Sequence, residues 1–312
     1  MTPEGGTRPL VAVVGPTAVG KTALAMRLAG ALPVEVVSAD SRQVYRRMDI
    51  GTAKPTLQER ERVPHHLLDV VEPNQPFTLV QYQELAGAAI DAVHRRGCIP
   101  LLVGGTGLYV RAVLEGLHIP QVEPDPDLRA RLLAEATSEG YAALHQRLRE
   151  LDPAAAERID ARNVRRVVRA LEVCYRVGRP ISSLQRASPP PYSILRVGLR
   201  MSRERLYRRI DERVEHMIDA GLVEEVRSLV ERGYSYELPA MSGLGYREIG
   251  AYLRGEIALP QAVTQMQWHT HRFVRQQATW FRADDASIAW FEASPHVGEA
   301  VLARIRGFLA QK

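Results

Sequence analysis

The chain has 312 residues, of which 46% are hydrophobic and 25% charged, and this composition is typical of a folded globular protein. Its net charge of +5 suits a polyanionic partner without requiring one. Two cysteines exclude a disulfide framework or a four-thiolate zinc site, and no apolar run approaches the roughly 20 residues that span a bilayer. We therefore expect a cytoplasmic protein without a signal peptide, in which Met1–Arg8 is a loose tail.

Short runs of branched apolar residues predict the strands of a parallel α/β sheet. Leu10–Val14, Val34–Val37 and Ile99–Val103 fit buried strands, and Ile288–Phe291 is a later one. Thr78–Arg95 has the apolar spacing of a helix. Strands that alternate with helices in this way indicate a parallel sheet.

The pattern becomes entirely helical in the middle of the chain. Pro-rich linkers, His118–Pro126 and Ser188–Pro191, enclose apolar residues at helical spacing, and Ile194–Leu199 then returns to strand character. This arrangement predicts an all-helical insertion domain within the α/β core. The predicted divisions are 1–116 and 194–312 for the core and 117–193 for the insertion domain.

The strand Leu10–Val14 is followed by a sequence that fits the phosphate-loop (P-loop) pattern G-x-x-x-x-G-K-[ST]. Backbone N–H groups and the start of the next helix would bind phosphate, and the Thr22 hydroxyl would hold Mg²⁺. A chance glycine turn is disfavoured because a strand and a helix stand where the pattern requires them. The predicted phosphate ligands are Gly15, Pro16, Thr17, Ala18, Val19, Gly20, Lys21 and Thr22.

The carboxylate that nucleotide hydrolases place after a second buried strand is missing. The strand Ile99–Val103 ends in Gly104–Gly107, and Asp69 follows only a short apolar run. Hydrolysis of ATP is therefore disfavoured, whereas kinase-like transfer or another reaction of a diphosphate stays open.

Two further features lie where they can meet a bound phosphate. Asp40 comes just past the second strand, and there it is either a proton acceptor or the cap of a following helix. Arg205, Arg209 and Arg213 recur every fourth residue on the predicted helix Ser202–Ala220. They are either a solvated face or a cationic clamp on a diphosphate.

Together these segments resemble the bacterial tRNA dimethylallyltransferase family. The resemblance spans nearly the whole chain in family order, and the segments that contain Asp40 and Asp49 are its most diagnostic part. The matching stretches are Gly15–Thr22, Ser38–Tyr45, Asp49–Pro55, Gly104–Tyr109, Arg169–Val173, Gly245–Glu248 and Thr279–Arg282.

The resemblance implies a P-loop enzyme that transfers the dimethylallyl group of dimethylallyl diphosphate to N6 of the adenosine at position 37, beside the tRNA anticodon. Asp40 would be the general base, and Thr22 and Lys21 would meet the diphosphate and Mg²⁺. Arg213, or Arg209 as its rival, would be the second diphosphate ligand. The enzyme would be a monomer that modifies tRNAs reading codons that begin with U. The missing carboxylate is then expected, because the loop holds a leaving group and positions no hydrolytic water.

The resemblance also predicts contacts with the anticodon stem-loop in both parts of the chain. The target base would be turned out of its stack and surrounded by the segment after the second strand. The predicted tRNA contacts are Asp40, Ser41, Arg42, Gln43, Thr106, Arg129, Arg165, Arg166, Val167, Val168, Arg169, Ser242, Gly243, Leu244, Gly245, Tyr246 and Arg247. Without the family, an ordinary exposed helix face would be the default interpretation of Arg165 and Arg166.

One stretch departs from the family pattern. His271 and Gln276 stand where relatives commonly carry Arg, so contacts to the RNA backbone there are expected to be weaker or shifted. His269 and His271 alone make a poor metal site, and we interpret them as structural or RNA-facing. The competing hypotheses are a small-molecule kinase, which would consume ATP, and an RNA-binding protein without catalysis.

Overall fold

Six parallel strands form one twisted sheet, in the order β3-β2-β4-β1-β5-β6, in the computed structural model, which describes residues 8–311. The strands are β1 (Arg8–Val14), β2 (Val34–Ala39), β3 (His65–His66), β4 (Ile99–Gly104), β5 (Tyr192–Arg200) and β6 (Ile288–Glu292). The predicted parallel sheet and its strands are therefore confirmed. Of the tail predicted for Met1–Arg8, residues 1–7 lie outside the described part, and Arg8 already pairs with Tyr192 of β5.

Helices cover both faces of this sheet. In chain order, the helices of the described residues are α1 (Lys21–Ala29), α2 (Leu57–Arg62), α3 (Leu79–Arg95), α4 (Gly107–Glu115), α5 (Pro126–Ser138), α6 (Tyr141–Leu151), α7 (Pro153–Arg158), α8 (Val164–Val177), α9 (Ile181–Leu184), α10 (Arg203–Asp219), α11 (Leu222–Glu231), α12 (Tyr246–Leu253), α13 (Leu259–Trp280) and α14 (Val297–Leu309). The helix predicted for Thr78–Arg95 is confirmed as α3. Thr78 caps its start by accepting a hydrogen bond from the Gln81 N–H. Within residues 8–311, no helix is both long and apolar enough to cross a membrane.

The alternation of side chains along β1 explains why both faces of the sheet are covered. Val13 shares a core cluster with Leu24 of α1 and Ile305 of α14, whereas Ala12 shares the opposite cluster with Ile90 of α3. Successive residues of a strand point to opposite faces, so a fully apolar strand needs helices on both sides.

The carboxyl ends of neighbouring parallel strands meet at one edge of the sheet, which is where ligands bind in such folds. β1 ends at Val14, directly before the phosphate loop, and β2 ends at Ala39, directly before Asp40. β1 lies between β4 and β5 in the sheet, although α5 to α9 separate β4 from β5 in sequence. Residues from before and after those helices in sequence therefore reach the same edge of the sheet.

The chain divides into two compact units. One runs to Leu114 and resumes at Pro191, and the other is Glu115–Pro190. The second unit contains α5 to α9, and a β-bridge joins Leu117 to Ala187. Its bounds lie close to the predicted insertion at residues 117–193.

Glu172 is a carboxylate without solvent exposure at the centre of the second unit. It accepts hydrogen bonds from Arg129 at 2.7 and 2.8 Å, from the Asp125 N–H at 2.8 Å, and from Arg169. Burial raises the pKa of Glu172, but these donors outweigh burial and lower the pKa from 4.5 to about 2. The charged carboxylate is therefore part of the folded state of this unit.

We expect Glu172→Gln to lower the free energy of unfolding by roughly 3 kcal/mol at neutral pH, because the charged partner of two arginines is lost. The folded pKa lies below the unfolded one, so the contribution is complete above about pH 4.5 and fades as the pH falls toward about 2. Urea titrations across that range measure this difference, with exposed Glu150→Gln as the control. Equal stability of the two variants at neutral pH would show that the network contributes nothing.

Candidate active site

The phosphate loop connects β1 to α1 in a conformation that requires glycine at two positions. Gly15 has φ +141°, and a Cβ at this position would lie 2.5 Å from the carbonyl oxygen of Leu199. Gly20 precedes α1 with φ +109°, and no side chain caps the helix. The first N–H groups of α1 are therefore left for an anion, and the helix dipole favours one.

The side chain of Lys21 is directed back to the phosphate loop. Its Nζ donates to the carbonyl oxygens of Gly15 at 2.9 Å and Pro16 at 2.7 Å. Burial lowers the pKa of Lys21 from 10.5 to about 8; the charge of Asp40 opposes this shift, and that of Arg213 adds to it. Lys21 is thus a cation at neutral pH that is short of counter-charge, which suits it to binding an anion.

A cavity of about 540 Å³ opens over the phosphate loop. Thr17, Lys21 and Thr22 form one side, and Arg209 and Arg213 of α10 line it as well. Gly15 and Val19 are buried, and the Val19 side chain is part of the core, so their contribution to an anion site is limited to the backbone. Cations and N–H groups together make this cavity suitable for a polyphosphate.

The three arginines of α10 differ in their surroundings. Arg205 and Arg209 are exposed and Arg213 is half-buried, and of the three only Arg209 and Arg213 line the 540 Å³ cavity. A Cβ on Gly20 would lie 3.9 Å from a guanidinium nitrogen of Arg209, so Arg209 lies beside the phosphate loop. Burial lowers the pKa of Arg213, the charge of Asp40 raises it, and Arg209 lowers it further.

Asp40 lies in a turn and not at the start of a helix, because the next helix begins only at Leu57. Its Oδ1 accepts a hydrogen bond from the Arg42 N–H at 2.8 Å, which fixes the direction of the carboxylate. Of the two interpretations left open by the sequence, helix capping is therefore wrong. Asp40 lines the 540 Å³ cavity and interacts electrostatically with Lys21 and Arg213.

A second, smaller cavity of about 260 Å³ adjoins this region and is more apolar. Its apolar lining includes Val214 and Met217 of α10 and Met266 and Phe273 of α13. Nine of the residues predicted to contact tRNA also line it: Asp40, Ser41, Arg42, Thr106, Ser242, Gly243, Leu244, Gly245 and Tyr246. The fold thus brings together segments that lie some 200 residues apart in sequence.

The two cavities share part of their walls. Thr17, Ala18, Asp40, Thr52 and Arg213 line both of them. Asp40 therefore lies between a cationic compartment suited to phosphate and an apolar compartment suited to a flat organic group. A carboxylate in that place can take a proton from one ligand while another is held on the opposite side.

Other predicted tRNA contacts in the first unit have structural partners. Gln43 lines the larger cavity, accepts a hydrogen bond from the Ser38 hydroxyl and donates to the carbonyl oxygens of Thr52 and Ala53. Arg247 is exposed and pairs with Glu248 at 2.6 Å. Both ends of the Gln43 amide are thus used within the protein.

The predicted tRNA contacts in the second unit divide into two groups. Arg165 and Arg166 are exposed on α8, but the side chains of Val167 and Val168 are buried in the core of the unit. The prediction that these two valine side chains contact RNA is therefore wrong, because they are buried. They stabilise the helix that carries the arginines. Arg129 and Arg169 donate hydrogen bonds to Glu172 and so stabilise the unit. Their predicted contact with tRNA stays a prediction.

Two histidines near the site lie against carboxylates, and a further carboxylate there is held by ion pairs. His269 contacts Glu248 at 2.8 Å, and His271 contacts Asp211 at 2.9 Å. Asp69, the candidate second carboxylate, is held by Lys54 and Arg60 at 2.7 Å each. Among residues 8–311, no cluster of three or more His, Cys, Asp or Glu side chains could bind a metal ion.

Comparison with known proteins identifies the family. The model of the IPP transferase family matches residues 43–284, and that of the isopentenyl transferase family matches residues 9–70. The chain belongs to the IPP transferase family. It is 48% identical to the tRNA dimethylallyltransferase of Dehalococcoides mccartyi over 99% of this chain and 95% of that protein. It is 56% identical to the tRNA dimethylallyltransferase of Roseiflexus castenholzii over 88% of this chain and 90% of that protein.

Solved structures of the family have the same fold. The full-length tRNA isopentenylpyrophosphate transferase of Bacillus halodurans superposes with a TM-score of 0.71, at 41% identity over 97% of this chain and 96% of that one. A eukaryotic dimethylallyltransferase acting on tRNA superposes with a TM-score of 0.79, at 25% identity over 98% of this chain and 80% of that one. The parallel α/β fold of this chain is thus that of solved members of the family.

Three residues that position this family member's site escaped sequence analysis. The carboxylate of Glu225 accepts hydrogen bonds from the N–H groups of residues 49–51 at 2.8–3.2 Å and from the Tyr246 hydroxyl at 2.6 Å. Lys54 is buried and bridges Asp49 and Asp69. Gln277 contacts the phosphate loop. Lys54 lies within the family stretch Asp49–Pro55, and Gln277 continues the buried spacing of Met266 and Val274 on α13; Glu225 left no such signal.

We expect the affinity for pyrophosphate to fall as the pH rises through about 8, because Lys21 then loses its charge. A bound anion raises the pKa of Lys21, so binding takes up a proton and is favoured on the acid side. Calorimetric titration at about pH 7 and about pH 9 measures this effect. Lys21→Arg stays charged over that range and is the control for ionisation of the ligand itself. An identical pH response of the two proteins would contradict the assignment.

Proposed function

We propose that this protein is a tRNA dimethylallyltransferase that transfers the dimethylallyl group from dimethylallyl diphosphate to N6 of adenosine 37, next to the anticodon. The relatives cited above carry that name at 48–56% identity, and they match 88–99% of this chain. The observation that carries the proposal is the place of Asp40, in the wall common to the cationic and the apolar cavity.

The diphosphate is the leaving group, and the larger cavity holds it. Backbone N–H groups at the start of α1, together with Lys21, Arg209 and Arg213, supply donors and positive charge for its oxygens. Negative charge grows on the diphosphate as its bond to the prenyl carbon breaks, so these groups stabilise the transition state more than the ground state.

Asp40 is the general base. The nitrogen N6 forms a bond to the first carbon of the prenyl group while the bond from that carbon to the diphosphate oxygen breaks, and the proton of N6 passes to the Asp40 carboxylate. The hydrogen bond from the Arg42 N–H orients this carboxylate, and electrostatic interaction with Lys21 and Arg213 keeps it beside the cationic compartment. The base and the leaving group are thus held on opposite sides of the reacting carbon.

The adenine enters the smaller cavity after leaving the stack of the anticodon loop. The cavity of about 260 Å³ combines apolar side chains with the polar groups of Ser41, Thr106 and Ser242, which suits a flat heteroaromatic ring. The exposed Arg165 and Arg166 of α8 are suited to the phosphates of the stem. We assign a monomer that acts on tRNAs reading codons that begin with U.

A magnesium ion fits the donor set of the larger cavity. Thr22 lines it and its hydroxyl would hold the ion, because Mg²⁺ is commonly bound by few protein groups together with substrate phosphates. When bound, the ion would neutralise charge on the leaving group.

The rival hypothesis of a small-molecule kinase is supported by the phosphate loop alone. The end of β4 carries Gly104 and Gly105, and Asp69 is occupied by Lys54 and Arg60. A second carboxylate that organises Mg²⁺ and a nucleophile for phosphoryl transfer is thus not available from either segment.

Incubation of the protein with dimethylallyl diphosphate, Mg²⁺ and unmodified tRNA should yield prenylated adenosine without ATP. Mass analysis of the tRNA nucleosides measures this product. Asp40→Asn keeps the size of the side chain but cannot accept the proton, so we expect kcat to fall about 10²- to 10⁴-fold while tRNA binding persists. Exposed Asp219→Asn is the matched control. Full turnover by Asp40→Asn would refute the general-base role, and ATP-dependent phosphorylation without prenyl transfer would refute the function.

A further inference from the structure

Gln277 is a buried polar side chain near the end of α13 that the proposed chemistry does not use. Only 4% of it is exposed, so its carbonyl and its amino group both need partners inside the protein. Its Oε1 accepts the Thr17 N–H at 2.8 Å, and its Nε2 donates to the Gly105 carbonyl oxygen at 2.9 Å. One partner is an obligate donor and the other an obligate acceptor, so the orientation of the amide is unambiguous.

The two partners of Gln277 belong to the two loops that flank the active site. Thr17 is part of the phosphate loop and lines both cavities. Gly105 follows β4, and a Cβ at that position would lie 2.3 Å from the Nε2 of Gln277. The close approach of the amide to this loop therefore requires a glycine there.

The hydrogen bonds continue from Gly105 to the turn that contains Asp40. Thr106 is the next residue, and its N–H donates to the Ala39 carbonyl oxygen at 3.2 Å. The Ser41 N–H donates to the Thr106 hydroxyl oxygen at 3.1 Å. Thr106 thus holds the residues on both sides of Asp40, and Gln277 connects this loop to the phosphate loop.

We propose that Gln277 is a positioning residue that sets the distance between the phosphate loop, which would bind the diphosphate, and Asp40. The inference rests on the function proposed above, in which both must meet one reacting carbon. Gln277 acts through Thr17 on one side and through Gly105 and Thr106 on the other. An error of about 1 Å in such an alignment is enough to reduce turnover by two orders of magnitude.

The test is steady-state prenyl transfer by Gln277→Met, which has a side chain of similar length but forms neither hydrogen bond. We expect kcat to fall about 10- to 100-fold, with the KM for dimethylallyl diphosphate within about threefold of the wild type. Gln277→Glu is the second variant: it keeps the acceptor for the Thr17 N–H and loses the donor to Gly105, and its kcat should also fall. Gln58→Met, at an exposed position of α2 that lines neither cavity, is the matched control and should leave both constants unchanged.

Thermal unfolding of each variant gives the fraction folded at the assay temperature and separates misalignment from loss of folded enzyme. A fall in kcat at an unchanged folded fraction supports the inference. Unchanged kcat, a rise in KM alone, or a loss of rate equal to the loss of folded protein overturns it; if Gln277→Met does not fold, Gln277→Glu decides by the same criteria. A wild-type protein that transfers no prenyl group would overturn the proposed function itself, which is a separate result.

Discussion

The carboxylate of Asp40 faces two cations, Lys21 and Arg213, and the rest of the site depends on this arrangement of charge. Burial lowers the pKa of both cations, and Asp40 opposes the shift in each case. In the proposed reaction a diphosphate takes over the neutralisation of these cations. Asp40 is then available to a nucleobase on its other side, where the second cavity begins. The charge of Asp40 thus raises the pKa of both cations, and in the proposed reaction the same carboxylate accepts the proton.

The order of the strands explains how distant parts of the chain form this arrangement. β1 lies between β4 and β5, although the whole helical unit lies between those two strands in sequence. The phosphate loop and Asp40 precede that unit, whereas α10 and α13, which line the smaller cavity with them, follow it. The strands before and after the helical unit in sequence, β4 and β5, both pair with β1, so the sheet continues across the insertion.

Sequence analysis predicted the features that depend on local patterns. Five of the six described strands, the phosphate loop and the position of Asp40 after β2 follow from apolar periodicity and a short motif, whereas the two-residue β3 was not predicted. The roles of charged residues did not follow, because their partners are distant in sequence. Glu225 binds the N–H groups of residues 49–51 from more than 170 positions away, and Arg129 is fixed by Glu172, 43 positions away. A basic residue that binds RNA and one that neutralises a buried acid look alike until the fold supplies the partner.

The most direct test of the account is a crystal structure of the protein with pyrophosphate, Mg²⁺ and an unmodified anticodon stem-loop. We predict that the pyrophosphate lies on the phosphate loop against Lys21, and that the adenine occupies the smaller cavity with its N6 within hydrogen-bonding distance of the Asp40 carboxylate. An adenine bound elsewhere, or an Asp40 carboxylate directed away from the space between the two ligands, would contradict it.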